Sequence, residues 1–298
     1  MQIGLIGAGN MARALARGWG RPVLCFDPVA ERARALAEET GGEALASNAD
    51  VASRAELVVL CHKPAQLRGI AEEVAPKASA VASILAATPL AEVREAYPGR
   101  PVYRFIPSLP VEVRQGAVVQ AADPEREAAA HIGDLAGDAV EATATGELAV
   151  NPIEATPSGD GALDAQVRQL FAELGTLVVL DDALLDVATG LMSCAPAYVA
   201  LIAEAQVDAG VRRGIPAHEG ARLVVQTLAG TAELLRRRDY DTLALRREVS
   251  SPGGLTARGV AALERAGVRA AFSDALDAVL RRRGPGAGGS RPQRGRRG

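Results

Sequence analysis

The sequence predicts an α/β domain built on a parallel sheet, followed by an all-helical domain. Three observations predict it. A short apolar run, Gln2–Ile6, turns through the glycines of Gly7–Ala12 into a helical stretch. Apolar runs of strand length then alternate with helical stretches as far as Gln120. From Leu184 onward no run has strand character.

The elements follow in order. Arg13–Arg17 continues the first helix, and Val23–Phe26 is the next strand, ending at Asp27. Ala30–Glu39 reads as an Ala-rich helix stopped by Gly41 and Gly42, and Ala44–Ala46 as a short strand. Asp50 is expected to cap a brief helical turn. Leu57–Cys61 is a strong β-run, followed by a helix from Pro64 to Val74 with proline at its first position, where the missing N–H does no harm. Val81–Leu85 and Val102–Ile106 are strands on either side of a short helix, Pro89–Ala96, and Gly116–Gln120 adds one more strand. Residues 122–162 are rich in Ala, Asp, Glu, Gly and Pro, and read as an insertion too long for an ordinary connection. Leu163–Leu174 is then a helix and Thr176–Leu180 the last strand. Five helices follow: Leu184–Ala209, Ala217–Arg237, Thr242–Glu248, Thr256–Ala266 and Arg269–Arg283. The expected domains are therefore 1–182, with the insertion at 122–162, then 183–283, then a basic tail at 284–298.

The first turn carries chemistry. Gly7 allows a tight turn, Gly9 lets backbone approach a pyrophosphate, and the small Ala12 lets the helix pack near the strand. The helix N-terminus then offers unpaired N–H groups to the phosphates. Asp27 lies 20 positions after Gly7, where a partner for a ribose hydroxyl belongs. A carboxylate there favours NADH over a cofactor carrying a 2′-phosphate, while Arg32 and Arg34 read as solvated charges of the following helix.

Composition excludes several classes. Residues 281–298 hold seven Arg and no acid; without them the chain has 26 basic against 36 acidic residues, so the body is not expected to bind nucleic acid. Cys25, Cys61 and Cys194 form neither a CxxC pair nor a disulfide framework, which fits a reducing cytoplasm. No signal segment and no apolar stretch long enough to span a membrane are read, and no His/Cys cluster has metal-ligand spacing. The long helix from Leu184 is apolar nearly all round, which demands burial and suggests a homo-oligomer.

A second stretch, Val249–Thr256, has Ser, Pro and two Gly ahead of a helix. It reads either as an ordinary turn or as a second anion cradle, with Ser251 offering a hydroxyl and Thr256 at its mouth.

Here the residues resemble a known family. VSSPGGLTARGVAALERAGVRAAFSDAL looks like the signature of pyrroline-5-carboxylate reductases, and IGLIGAGNMARAL resembles their opening nucleotide loop. Asn48 before Lys63-Pro64, Arg104–Pro107 with Pro110, and Ala195–Val199 agree in order and spacing. The resemblance covers residues 1–120 and 163–280. It implies a Rossmann-like nucleotide-binding domain and an all-helical dimerisation domain that interlocks with a second copy, with the active site at that interface. It implies NADH or NADPH as cofactor and a small cyclic imino acid as substrate. By position, Gly7, Gly9, Asn10, Met11 and Ala12 would hold the pyrophosphate, Asn48 the adenosine ribose, Lys63 and Pro64 the cofactor's border, and Pro107 and Ser108 the nicotinamide side. Ser251, Gly253 and Gly254 would hold the substrate carboxylate, with Thr256 bonded to the ring nitrogen as the catalytic residue.

The chain departs from the family's pattern at Ser108-Leu109, where the family has Asn-Thr, at Leu85–Ala87, at Ser193–Ala195 and over most of 122–162. A divergent member fits these departures. The readings open at this point are the imine reductase itself, a reductase of a related cyclic imine, and an inactive nucleotide-binding regulator. A β-hydroxyacid dehydrogenase of the same plan needs a lysine on the long helix, and Leu191–Ala209 contains none.

Overall fold

The computed structural model describes residues 1–124 and 160–281. The expected insertion falls almost wholly outside these residues, as does the basic tail. Eight strands form one sheet: β1 Ile3–Ile6, β2 Leu24–Phe26, β3 Glu43–Ala44, β4 Leu57–Leu60, β5 Val81–Ser83, β6 Val102–Pro107, β7 Gly116–Ala121 and β8 Gly175–Leu180. Their order is β3-β2-β1-β4-β5-β6-β7-β8. The first six are parallel, with β1 between β2 and β4, as in Leu5 opposite Cys25 and Val59. The reversal of strand order on either side of β1 puts a crevice at the strands' carboxyl ends, where ligands of such sheets bind.

The all-parallel expectation fails at β7, which runs antiparallel to β6, with Ile106 opposite Val119. The reason is connection length. Only residues 108–115 join the two strands, with a 3₁₀ turn at Leu109–Val113, and a parallel crossover needs a dozen residues or more. β8 returns parallel to β7.

Twelve helices are described: α1 Asn10–Trp19, α2 Ala30–Thr40, α3 Asn48–Arg54, α4 Leu67–Val74, α5 Leu90–Ala96, α6 Asp160–Ala172, α7 Leu185–Ala188, α8 Ala195–Val211, α9 Ala217–Arg236, α10 Thr242–Glu248, α11 Leu255–Arg265 and α12 Val268–Leu280. In α3 the cap is Ser47, whose Oγ accepts the Asp50 N–H at 3.1 Å; Asp50 sits in the first turn instead of capping it.

The central strands are buried on both faces, and their alternation sorts the core in two. Leu57 and Val59 point into one cluster with Leu15, Trp19, Leu36 and Phe171; Val58 and Leu60 point into the other with Val51, Leu67 and Val93. On the first face Phe105 stacks on Phe171, ring centroids 3.8 Å apart, and Trp19 meets Phe171 edge-on at 5.7 Å. The Trp19 indole N–H donates to the Leu170 carbonyl at 2.9 Å, fastening α1 to α6.

The chain divides into two compact units, Met1–Pro196 and Ala197–Gly298. The second, over its described residues, is all helix. Leu245 is its only buried large apolar side chain among the described residues. Leu201 and Leu223 are more than 60% exposed and Leu255 is 81% exposed.

The helix expected over Leu184–Ala209 is broken. A 3₁₀ turn at Asp182–Leu184 leads into α7, then a π-helical turn at Thr189–Ser193, then α8. An inserted residue of this kind leaves no mark in an apolar pattern. The helical run Asp182–Val211 is long and apolar enough, by length and composition, to cross a membrane, contrary to expectation.

Candidate functional site

The turn from β1 into α1 is built as an anion seat. Gly7 has φ +100°, and its N–H donates to the Phe26 carbonyl at 2.8 Å. A Cβ there would stand 3.0 Å from the Cys61 carbonyl, so both the turn and the neighbouring strand exclude a side chain. Gly9 is the extended N-cap residue of α1 and supplies no capping group. The first intrahelical bond runs from the Arg13 N–H to the Gly9 carbonyl, so the N–H groups of Asn10, Met11 and Ala12 have no partner within the helix. The first turn holds no acid. A Cβ on Gly9 would meet nothing within 4 Å, so there is open space where backbone must approach a ligand. These features fit a pyrophosphate. Ala12 is buried, Met11 packs partly into the core and Asn10 is exposed.

Asp27 ends β2 and is buried. One carboxylate oxygen accepts the Ala8 N–H at 2.8 Å and the other the Val29 N–H at 2.9 Å. It therefore latches the glycine turn to the end of β2, in addition to facing a cavity of about 330 Å³ that Phe26, Ala30, Arg34, Leu45 and Ala46 also line. Arg34, read from sequence as a solvated helix charge, is exposed but lies on this cavity.

On the other side of β1, β4 leads to Cys61-His62-Lys63-Pro64. The His62 Nδ1 donates to the Lys63 carbonyl at 2.9 Å, while its Nε2 is buried without a partner among the described residues. Burial holds the imidazole below its usual pKa, so it is neutral. The Lys63 N–H donates to Gln66 Oε1 at 3.1 Å, and Pro64 starts a 3₁₀ turn. Asn48 is buried, and its amide donates to Glu73 Oε2 at 3.0 Å, which fixes its orientation. Cys25 and Cys61 are unpaired; burial pushes the first up to about 11 and raises the second as well, so both remain thiols.

At the end of β6, Pro107 accepts the Ser193 hydroxyl at 3.1 Å through its carbonyl. Ser108 is buried; its Oγ accepts the Ala117 N–H at 2.9 Å and its N–H donates to the Ala117 carbonyl at 2.9 Å. The hydroxyl thus faces β7, which leaves chiefly backbone for a ligand. Arg104 is 2% exposed and holds Asp182 Oδ1 at 2.6 Å and Asp186 Oδ1 at 3.4 Å. The other Asp182 oxygen takes the Leu90 N–H at 2.9 Å. Sequence reasoning used Arg104 only as a landmark. An arginine buried inside an apolar strand was the signal for carboxylate partners nearby.

The helical unit carries the second seat. Gly253 has φ +68°, a left-handed conformation at which side chains are strained. Gly254 is the extended N-cap residue of α11, and a Cβ on it would stand 2.3 Å from Ser251 Oγ. The Gly254 N–H closes the turn on the Ser251 carbonyl at 3.0 Å. The first turn of α11 again lacks an acid and a side-chain cap, and Ser251 and Thr256 are exposed. This arrangement suits a carboxylate, with the Thr256 hydroxyl one helical position in. No group of metal-ligating side chains occurs among the described residues.

Comparisons with known proteins agree across the chain. Residues 182–284 match the family model "Pyrroline-5-carboxylate reductase dimerisation", and residues 2–87 match "NADP oxidoreductase coenzyme F420-dependent". The chain is 32% identical to a pyrroline-5-carboxylate reductase of Thermus thermophilus over 289 residues, covering 95% of this chain and 97% of that one. A solved 1-pyrroline-5-carboxylate reductase of Streptococcus pyogenes superposes with a TM-score of 0.75 at 24% identity, covering 94% and 96% of the two chains. A pyrroline carboxylate reductase of Plasmodium falciparum, solved with NADP bound, gives 0.73 at 21%, covering 94% and 95%.

Proposed function

The chain belongs to the pyrroline-5-carboxylate reductase family, and on that premise we propose that it reduces 1-pyrroline-5-carboxylate to proline with NADH or NADPH. The observation that carries this reading is the pair of glycine-capped helix N-termini, one following β1 and one carrying Ser251 and Thr256.

Each group has a task. The N–H groups of Asn10, Met11 and Ala12 hold the pyrophosphate, and Asp27 keeps the loop in place while offering its charge to the ribose hydroxyls. Asn48 borders the adenosine ribose. Lys63, Pro64, Pro107 and the Ser108 backbone line the path to the nicotinamide, which supplies a hydride when bound. The Ser251–Gly254 turn holds the substrate carboxylate. Thr256 hydrogen-bonds the ring nitrogen, fixing the face of the ring and favouring the protonated imine, whose carbon is the better electrophile. Catalysis is mostly positioning, so no side-chain nucleophile is required. NADH is expected to serve at least as well as NADPH because Asp27 stands beside the ribose.

The protein is proposed to work as a homodimer or larger homo-oligomer. α8, α9 and α11 expose large apolar side chains, Leu201, Leu223 and Leu255 among them, and a second copy accounts for these better than a bilayer does, since the run Asp182–Val211 carries Asp182, Asp186, Glu204 and Asp208. The unpaired cysteines suit the cytoplasm. Neither nucleic acid nor membrane is proposed as a partner.

The test is NADH oxidation with 1-pyrroline-5-carboxylate, wild type beside Thr256→Ala. Wild type is expected to turn over, and the variant to lose about 10- to 100-fold in kcat/KM with NADH binding intact. Wild type that binds NADH but leaves this imine untouched would move the assignment to another cyclic imine or to a regulatory role.

A further inference from the structure

We propose that Arg34 is the residue that lets this site accept a 2′-phosphate, keeping NADPH usable beside a carboxylate that would otherwise exclude it. The proposal rests on the dinucleotide reading above and goes one step further, to the residue that sets cofactor tolerance.

The cavity at the ends of β2 and β3 is the place where the adenosine half must lie if the pyrophosphate sits on α1. Phe26, Leu45 and Ala46 give it an apolar wall, and Asp27 and Arg34 are its two charged groups. The two charges differ in freedom. Asp27 is buried and tied at both oxygens to backbone N–H groups, so it cannot swing away from an incoming phosphate. Its charge is a fixed cost to any 2′-phosphate. Arg34 is exposed, sits four residues after Ala30 on the same face of α2, and has no ion pair or hydrogen bond among the described residues. Arg13 and Arg17 engage Glu39 and Arg54 engages Glu43, while Arg32, also on α2, does not line the cavity. A guanidinium free to choose its partner, beside a carboxylate already held by backbone, is suited to a forked pair with phosphate oxygens. Glu31, in the first turn of α2, is exposed and adds a weaker opposing charge.

The experiment is cofactor binding in the absence of substrate, followed by nicotinamide fluorescence, with ADP and 2′,5′-ADP as competitors. Wild type, Arg34→Ala and Arg34→Lys are compared. The expected result is that Arg34→Ala weakens NADPH and 2′,5′-ADP by about tenfold, NADH and ADP by less than twofold, and that lysine restores part of the loss. The gap between the two cofactors in wild type should widen as salt rises, because the exposed Arg34–phosphate pair that sustains NADPH is screened. If Arg34→Ala shifts both cofactors equally, or shifts neither, Arg34 does not read the 2′-phosphate and the proposal is overturned while the dinucleotide site stands. If wild type binds neither nucleotide, both fall together.

Discussion

The two anion seats are alike in design and opposite in setting. Both are helix N-termini capped by an extended glycine, with no side-chain cap and no acid in the first turn. The seat at α1 is surrounded: Ala12, Ala14 and Leu15 of its helix are buried, Cys61 walls off Gly7, and Asp27 ties the loop to β2. The seat at α11 stands on a helix with no buried residue. The first is therefore finished by its own chain. The second has the same backbone geometry and almost no packing behind it, so under the proposed oligomer its rigidity would come from the second copy. On the proposed function, a substrate bound there would be held only as firmly as the assembly around it.

That contrast can be broken at several points. The largest effect is expected from Leu201→Glu on α8, a position 64% exposed in one chain. An unpaired carboxylate in a subunit interface costs several kcal/mol, and about 1.4 kcal/mol is tenfold, so light scattering should show monomers and turnover should fall by about 100-fold or more. An oligomer of unchanged size would remove the assembly reading of this face.

Next comes a matched pair of glycine replacements. Gly7→Ala meets both a left-handed backbone and the Cys61 carbonyl, and is expected to cost about 1–3 kcal/mol and to cripple NADH binding. Gly253→Ala meets strain alone, since nothing lies within 4 Å of the new Cβ; it should cost about 1 kcal/mol and raise KM for the imine with NADH binding unchanged. Equal melting temperatures for the two variants would contradict the idea that one seat is packed and the other open.

Asp27→Ala sharpens the latch. It leaves the Ala8 and Val29 N–H groups without their acceptor, and should lower stability by about 2 kcal/mol in cofactor-free protein. A residue that only touched the ribose would leave the cofactor-free melt where it was.

The smallest effect is a pH slope from His62. Its folded pKa is lowered by burial, so on acidification the unfolded chain takes up the proton first. Stability is then lost as pH falls through the ordinary histidine range near ~6.5 and stops falling below the folded value. The melting temperature of wild type should drop between roughly pH 7.5 and 5.5 more than that of His62→Gln, and a parallel pair of curves would place the titration elsewhere.

What sequence makes legible here is local. The glycine turn after β1, the alternation of strands and helices, and the Ser251–Thr256 turn depend on neighbours a few positions apart, and each lies where its pattern puts it. The direction of β7 was also readable, since residues 108–115 are too few for a crossover, but composition alone does not count that length. Other features depend on distant chain. Whether Asp27 points at a ligand or at Ala8 depends on how the loop after β1 folds back over β2. Whether Arg34 reaches a cavity depends on how α2 lies across the same strand. The π-helical turn at Thr189–Ser193 shifts register inside a run whose apolar residues look the same on either side. Ser47 and Asp50 are both good caps, and only the placement of the helix start decides between them.

The chain's single tryptophan gives the two-unit architecture an optical consequence. Trp19 is buried, bonded to Leu170 and edge-on to Phe171, so its emission reports whether a segment some 150 residues further along has returned to the sheet. The helical unit has no tryptophan and is silent in that signal. Far-ultraviolet circular dichroism, by contrast, sums the helices of both units. Two probes on one sample thus separate the units during unfolding: coincident midpoints mean that they melt as one body, and divergent midpoints time the loss of each seat.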